Sequence, residues 1–320
     1  MVETNEKILV KARINGRVLR DMLGRIQQCA FLIDETYLHV TEQGIKLSVV
    51  SSSHDALSTL VLDRADFDSF HHENEGRAGI NLNDLVKIGK RIKMDEAAKY
   101  DIVIGSKVTI GTFTLRTYEI QGYDAKEDSL LDSFEETLAK KFAPGIPLDA
   151  DAFTDQIGNC ELISDLVQLH ADPEKKTVLM SARDESGECN ERIAFDYSTA
   201  ITVDGIFSLK ALKNAVSKPA LAPEMRKSTP KKPSNDRTRI VVLFLGDNIP
   251  CMIRENFQRR SRMTALIAAR VTDTSHDNFG DDFDDGSEAA PGSEATATPA
   301  TEPVAAPQIE PSLPDDKKGA

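Results

Sequence analysis

Apolar and polar residues alternate along much of the chain, and where the alternation stops a helical period replaces it. His54 to Phe70 reads HDALSTLVLDRADFDSF, which alternates as a half-buried strand does. A short polar turn follows, then INLNDLVKIGKR, with Leu82, Leu85 and Ile88 on one helical face and Lys87, Lys90 and Arg91 on the other. Val18, Met22 and Ile26 recur at helical spacing in an earlier segment. Four helices are predicted: Asn15 to Cys29, Asn81 to Lys93, Asp149 to Asn159 and Ser208 to Lys218, with Asn81 and Ser208 placed as caps. The segments between them are strands rich in Val, Ile, Thr and Leu. Few helices against many alternating strands predict an α+β fold with the helices on one face of the sheet, not a parallel βαβ fold.

The pattern is written twice. LIDETYLHV around His39 is echoed by LISDLVQLHA around His170, and INLNDLVKI by IFSLKALKNA. YDIVIGSKVTIGTFTLRTY is echoed more weakly by RTRIVVLFLGDNIPCMIREN, all at a separation of about 130 residues. Two copies of one fold are therefore expected, residues 1–120 and 137–272. Residues 121–136, QGYDAKEDSLLDSFEE, read as an acidic connector carrying Leu130 and Leu131. Within the second copy, residues 219–239 hold four prolines and six Lys or Arg against two acids and read as a basic, extended insertion. Residues 273–320 are rich in Asp, Gly, Ser, Ala, Pro and Thr and are predicted to be a disordered acidic tail.

Charge sharpens this division. The net charge is −13, but the last 48 residues carry twelve acids against two lysines, so the body is only weakly acidic. Arg17, Arg20 and Arg25 lie on the first helix, Lys87, Lys90 and Arg91 on the second, and Lys210, Lys213 and Lys218 on the last. Such recurring point charges suit sequence-independent attraction to phosphates. The third helix breaks the pattern with Asp149, Asp151 and Asp155. Cys29, Cys160, Cys189 and Cys251 form no CxxC pair, which suggests neither a disulfide framework nor zinc and fits a reducing, intracellular setting. No apolar run approaches a membrane span, and no nucleophile, metal cage or phosphate loop stands out, so binding is expected rather than catalysis.

Several segments together resemble the PCNA family of sliding clamps, archaeal and eukaryotic, over about residues 8–272: GIKLSVVSSSHDALSTLVL, FDSF with GINLNDLVKIGKR, TLRTYEI, and IPCMIRENFQRRSRMTALIAARV. The resemblance implies the DNA clamp fold: three subunits of two similar domains in a pseudo-sixfold ring, with sheets outside and helices lining a channel for duplex DNA. It places Arg17, Arg20, Lys87, Lys90, Lys210 and Lys213 in that channel. It implies no catalytic residue, metal or cofactor, and a separate clamp-loader ATPase, since this chain has no Walker motif. DNA polymerase and other DNA enzymes would bind by a short peptide in a pocket of Val50, His54, Leu130, Leu131, Pro250, Ala268, Ala269 and Arg270. Ala269, where the family usually has proline, and Asp55, in place of an apolar residue, depart from the pattern.

Ring closure by the same resemblance would use strand edges at Val108 to Tyr118 (Val108, Ile110, Phe113, Leu115) and Thr177 to Arg183 (Thr177, Leu179, Ser181). Imperfect alternation in the first of these suggests a bulge near Gly111. A homotrimer is expected. A clamp-like checkpoint subunit of a heterotrimer remains an alternative, as does a soluble enzyme using His71, His72, Glu73 and Glu75.

Overall fold

In the computed structural model each α-helix among the described residues grows directly out of a strand. β1 (Val10–Asn15) runs into α1 (Gly16–Ala30), and after β2 (Glu35–Thr41), β3 (Gly44–Val50), β4 (Ala56–Asp63) and β5 (Ser69–His72), β6 (Gly76–Asn81) runs into α2 (Leu82–Gly89). β7 (Lys99–Ile104), β8 (Lys107–Thr112) and β9 (Thr117–Gln121) complete the first half. The second half repeats the order: β10 (Ile146–Asp149) into α3 (Ala150–Glu161), then β11 (Leu166–Asp172), β12 (Thr177–Asp184) and β13 (Gly187–Ala194). Then β14 (Val203–Ser208) runs into α4 (Leu209–Val216), followed by β15 (Ile240–Phe244), β16 (Cys251–Phe257) and β17 (Ser261–Ile267). The residues described are 7–112, 117–122, 141–142, 144–172, 174, 177–185, 187–194, 203–217, 239–246 and 249–270. They belong to a unit, Met1–Thr272, separate from Asp273–Ala320. Lys218, Phe113, Leu115, Leu130 and Leu131, most of the connector, most of the basic insertion and the tail lie outside the described residues.

Among the described residues, the last strand residue caps each α-helix. Asn15 accepts from the Val18 N–H, Asn81 from Asp84, Asp149 from Asp151 and Ala152, and Ser208 from Ala211. A side-chain oxygen there satisfies an amide that the first helical turn leaves without a backbone partner, so the strand-to-helix switch is encoded locally. The second helix is shorter than its apolar period suggests: Lys90 is its C-cap and Arg91 forms a turn back to Ile88.

Three antiparallel sheets result, with strand orders β5-β1-β7-β8-β9, β10-β15-β16-β17-β4-β3-β2-β6 and β13-β12-β11-β14. The eight-stranded sheet is where the halves meet, because β17 of the second pairs with β4 of the first, Arg262 opposite Val61 through Ile267 opposite Ala56. The hairpin joining β2 and β3 turns at Gly44, whose φ of +146° and approach to the Leu62 carbonyl leave no room for a Cβ. Two cores lie between helices and sheets. Leu19, Met22, Leu60, Ile80 and Leu82 belong to the first, and Phe153, Ile157, Leu209, Leu212 and Val241 to the second. Alternate residues of each strand supply these cores, which is why the two-residue period was legible.

The edge strands differ from those expected. β8 is paired on both sides, with β7 and with β9, and Val108 and Ile110 are core residues, 3% and 2% exposed. Its register runs through Gly111 without a bulge, Asp101 opposite Gly111 on one side and Thr117 on the other. β12, which carries Thr177, Leu179 and Ser181, is likewise internal, between β11 and β13. The edges are one strand further along the chain in each case, β9 and β13. An apolar strand with clean alternation is the mark of a sheet interior; the edges here are polar, TYEIQ and GECNERIA, as strands that must tolerate solvent tend to be.

Candidate functional site

The four helices are linked in the order α2, α1, α4, α3. α1 packs beside α2, and α4 beside α3. Between the halves, the Gln28 side chain near the end of α1 donates to the carbonyls of Asn214 and Ser217, while Asn214 donates back to the Gln28 carbonyl. Their apolar faces enter the cores, so their other faces carry the charges.

Arg17 is exposed and pairs with Glu96 at 2.7 Å. Arg20, half-buried, donates to the Ile92 carbonyl at 3.1 Å. Lys87 is exposed and bonds Asp84 one turn earlier at 2.8 Å; Lys90 and Arg91 are exposed at the carbonyl end of α2, where cations are favoured by the helix dipole. Lys210 is exposed with its ammonium 5.3 Å from the ring of Phe31, and Lys213 is half-buried against Glu161. On α3, Asp151 and Asp155 are exposed and Asp149 is consumed as the cap.

Arg25 is not part of this surface. It is 4% exposed, with Nη1 and Nη2 donating to the two Glu255 carboxylate oxygens at 2.5 and 2.9 Å and its guanidinium 5.0 Å from the Phe257 ring centroid. The helical period places it on the sheet side of α1, where only a buried counter-charge from the other half makes an arginine tolerable. Glu255 also accepts from Arg239 Nε at 2.9 Å, and Arg239 donates to the Val216 carbonyl. Asp21, 3.8 Å from Arg25 and bonded by Gln258, is held above the ordinary carboxylate range by burial, with Arg25 opposing the shift.

A second surface lies on the eight-stranded sheet. Cross-strand partners form one apolar row, Val50 opposite Leu57, Leu57 opposite Leu266, Leu266 opposite Met252, and Met252 opposite Phe244. Directly paired residues share a sheet face, so the row crosses five strands and the junction of the halves. Leu57, Met252 and Leu266 form a small cluster of their own, with Val50, Phe142 and Phe244 packed around it. Of the residues expected in a partner pocket, only Val50 belongs to this row. The other four were absent from the sequence reading, although the apolar residues in CMIRENF at both parities, against a core that needs only one, were a usable signal.

Of the remaining expected pocket residues, His54, Pro250 and Ala268 to Arg270 lie in the segments just before β4, just before β16 and just after β17, strands that the row crosses. His54 adopts φ +56° in the turn before β4. Asp55 holds this turn together, accepting from the Ser51 and Ser53 hydroxyls at 2.7 and 2.6 Å, and takes the Arg270 Nη2 at 3.0 Å. Those serine bonds, then Arg270, keep its carboxyl below the ordinary range. The Ala268 N–H donates to the Asp55 carbonyl and that of Arg270 to Ile206. Ala269 packs against the second core, and Pro250, partly exposed, precedes β16. Asp55 is thus the anchor of the segment after β17.

Among the described residues no group of three or more His, Cys, Asp or Glu is arranged to hold a metal ion, and no helix is long and apolar enough to cross a membrane.

A family model for the N-terminal domain of proliferating cell nuclear antigen matches residues 9–115. A DNA polymerase sliding clamp of Methanococcus maripaludis is 24% identical over 258 residues, covering 79% of this chain and 96% of that protein. Two solved structures share the fold. PCNA from A. fulgidus bound to the C-terminal region of FEN-1 gives a TM-score of 0.64 at 16% identity, over 82% of this chain and 99% of that one. PCNA from Entamoeba histolytica gives 0.64 at 17% identity, over 83% and 100%.

Proposed function

Because this chain belongs to the PCNA family of sliding clamps, we propose that it closes head to tail with two further copies of itself into a ring around duplex DNA. Its function is that of a DNA sliding clamp, and enclosure holds the duplex without gripping it. Diffuse charge from Arg17, Arg20, Lys87, Lys90, Arg91, Lys210 and Lys213 is the whole of the attraction needed, because a clamp that must slide cannot read bases.

The junction of β17 with β4 is the observation that carries the ring. In the duplicated order β9 corresponds to β17, and β13 to β4. Both are edge strands among the described residues, so the two complementary faces of the joint that unites the halves are left over at the outer edges of the other two sheets. Pairing β9 of one copy with β13 of the next repeats that joint, a heterologous contact that either closes or makes a filament. The helices support the same pairing. Within the chain the joint places α1 beside α4; between chains it would place α3 beside α2. The acidic α3, with Asp151 and Asp155, would then meet the basic end of α2, with Lys87, Lys90 and Arg91. The third helix's charge reversal acquires a reason in assembly.

Client enzymes would dock on the apolar row through a short apolar peptide. The pocket is proposed to comprise Val50, Leu57, Leu266, Met252 and Phe244 with His54, Pro250 and the Ala268 to Arg270 segment. The C-terminal region of FEN-1, bound to PCNA in the A. fulgidus structure, is a model for such a peptide, a DNA polymerase would dock by one of the same kind, and loading onto closed DNA would fall to a separate ATPase in the same intracellular compartment.

The test is mass photometry of the full chain with and without linear DNA. A species of three chain masses that threads onto linear DNA, runs off open ends and is retained in high salt when the ends are then blocked supports the reading. A monomer at micromolar concentration overturns the homotrimer.

A further inference from the structure

We propose that Cys160 and Cys189 form an oxidisable dithiol that closes to a disulfide when the protein meets a peroxide. Far apart in sequence, their sulfurs lie 3.8 Å from each other. Cys160 is in the last turn of α3 and buried; Cys189 lies on β13, opposite Ala182, and is partly exposed. Helix and strand are held in register around them by hydrogen bonds from Asn159 to Glu191 at 2.8 Å and from Gln156 to the Arg192 carbonyl at 3.4 Å. From 3.8 Å, with the two elements held together in this way, side-chain rotation carries the sulfurs toward the roughly 2.05 Å of a disulfide.

Accessibility assigns the order of events. The partly exposed Cys189 is the thiol a small oxidant reaches, whereas burial holds the Cys160 thiol up at about 12, so it does not react first. The Cys189 thiolate attacks one oxygen of hydrogen peroxide, the O–O bond breaks, and a sulfenic acid and a hydroxide result, the hydroxide taking up the proton that Cys189 released on ionising to become one water. The Cys160 sulfur then attacks the Cys189 sulfur; the S–S bond forms, the S–O bond breaks, and the hydroxyl leaves as a second water with the Cys160 proton. Two thiols are oxidised by two electrons and one peroxide is reduced to two waters. The product ties the end of α3 to the edge strand β13. Both elements belong to the proposed joint between copies, but the bond itself does not depend on that joint. Cys29 and Cys251 are fully buried and have their thiols pushed up by burial, so they serve as internal references.

The experiment treats the reduced full-length protein with hydrogen peroxide, unfolds it, counts thiols and maps peptides. Four thiols should fall to two, with one linked peptide pair joining Cys160 to Cys189, and dithiothreitol should restore four. Cys189→Ser, a change at a partly exposed position, should show three thiols before and after. The proposal is overturned if Cys189 accumulates as sulfinic acid while Cys160 stays free, if Cys189 links only to another chain, or if all four thiols survive.

Discussion

Arg25 and Glu255 meet as a two-bond buried fork across 230 positions of sequence, joining α1 of the first half to β16 of the second. Neither side chain is more than 5% exposed. Removing one partner leaves an unmatched charge in the interior, so Glu255→Ala should cost about 3–5 kcal/mol in chemical denaturation. The volume-matched pair Arg25→Met with Glu255→Leu should recover much of that loss and leave salt-dependent DNA retention unchanged. A fall in DNA retention by the folded double variant would return Arg25 to the channel.

The exposed cations should behave as interchangeable phosphate contacts. Lys90→Ala, Arg91→Ala and Lys210→Ala are each expected to weaken DNA association to the same degree on any sequence. Each should reduce the slope of log affinity against log salt by up to about 0.9, as measured by anisotropy on duplexes of unrelated sequence. A variant that changes sequence preference would contradict diffuse attraction.

Edge pairing can be tested at single-residue resolution. In an edge strand, adjacent N–H groups point alternately into the sheet and out of it. Of Tyr118→Pro and Glu119→Pro, one should abolish self-association while the folded monomer persists, and the other should disturb the β8–β9 ladder. Asn190→Pro and Glu191→Pro should divide in the same way on β13. Sedimentation with circular dichroism separates the outcomes; four variants that all assemble normally would refute the β9–β13 joint.

Charge across the joint should follow the helices. Lys87→Glu with Lys90→Glu is expected to weaken self-association, most at low salt, where surface charges are least screened. Adding Asp151→Lys and Asp155→Lys should restore part of it. Absence of any restoration, read as dimer and trimer populations by mass photometry, would separate α2 from α3 in the assembly.

Asp55 makes the stability of its turn dependent on pH. Its carboxyl is held below its ordinary value by Ser53 and Ser51 and then Arg270, so the stabilisation is complete above the unfolded value, roughly pH 3.9. It is lost as pH falls through the lower folded value. The melting-temperature gap between the wild type and Asp55→Asn should therefore be widest near neutrality and close in acid, once the folded-state carboxyl is protonated. A gap independent of pH would mean that the carboxylate charge is not what anchors Arg270.

Local chemistry made much of the fold readable. The caps Asn15, Asn81, Asp149 and Ser208 and the periods of Val18, Met22 and Ile26 act over a few residues, so the sequence alone determined four helices, their strand neighbours and the duplication. Helical period also told which face of α2 is charged. It set Arg25 on the face of Met22 and Ile26 but could not tell that an arginine stays buried there, because it is kept in a core only by a partner that the sequence places 230 positions away.

Strand order was decided by the tertiary structure in the same sense. Alternation states that a strand is half-buried and is silent on which strand lies beside it, so Val108, Ile110 and Thr177 were assigned to edges that β9 and β13 occupy. The row from Val50 to Phe244 exists only when β3, β4, β17, β16 and β15 lie side by side, and the nearness of Cys160 to Cys189 only when α3 lies on β13. Each element forms from forces within a few residues of itself. Which elements become neighbours is set by how the whole chain buries its apolar faces.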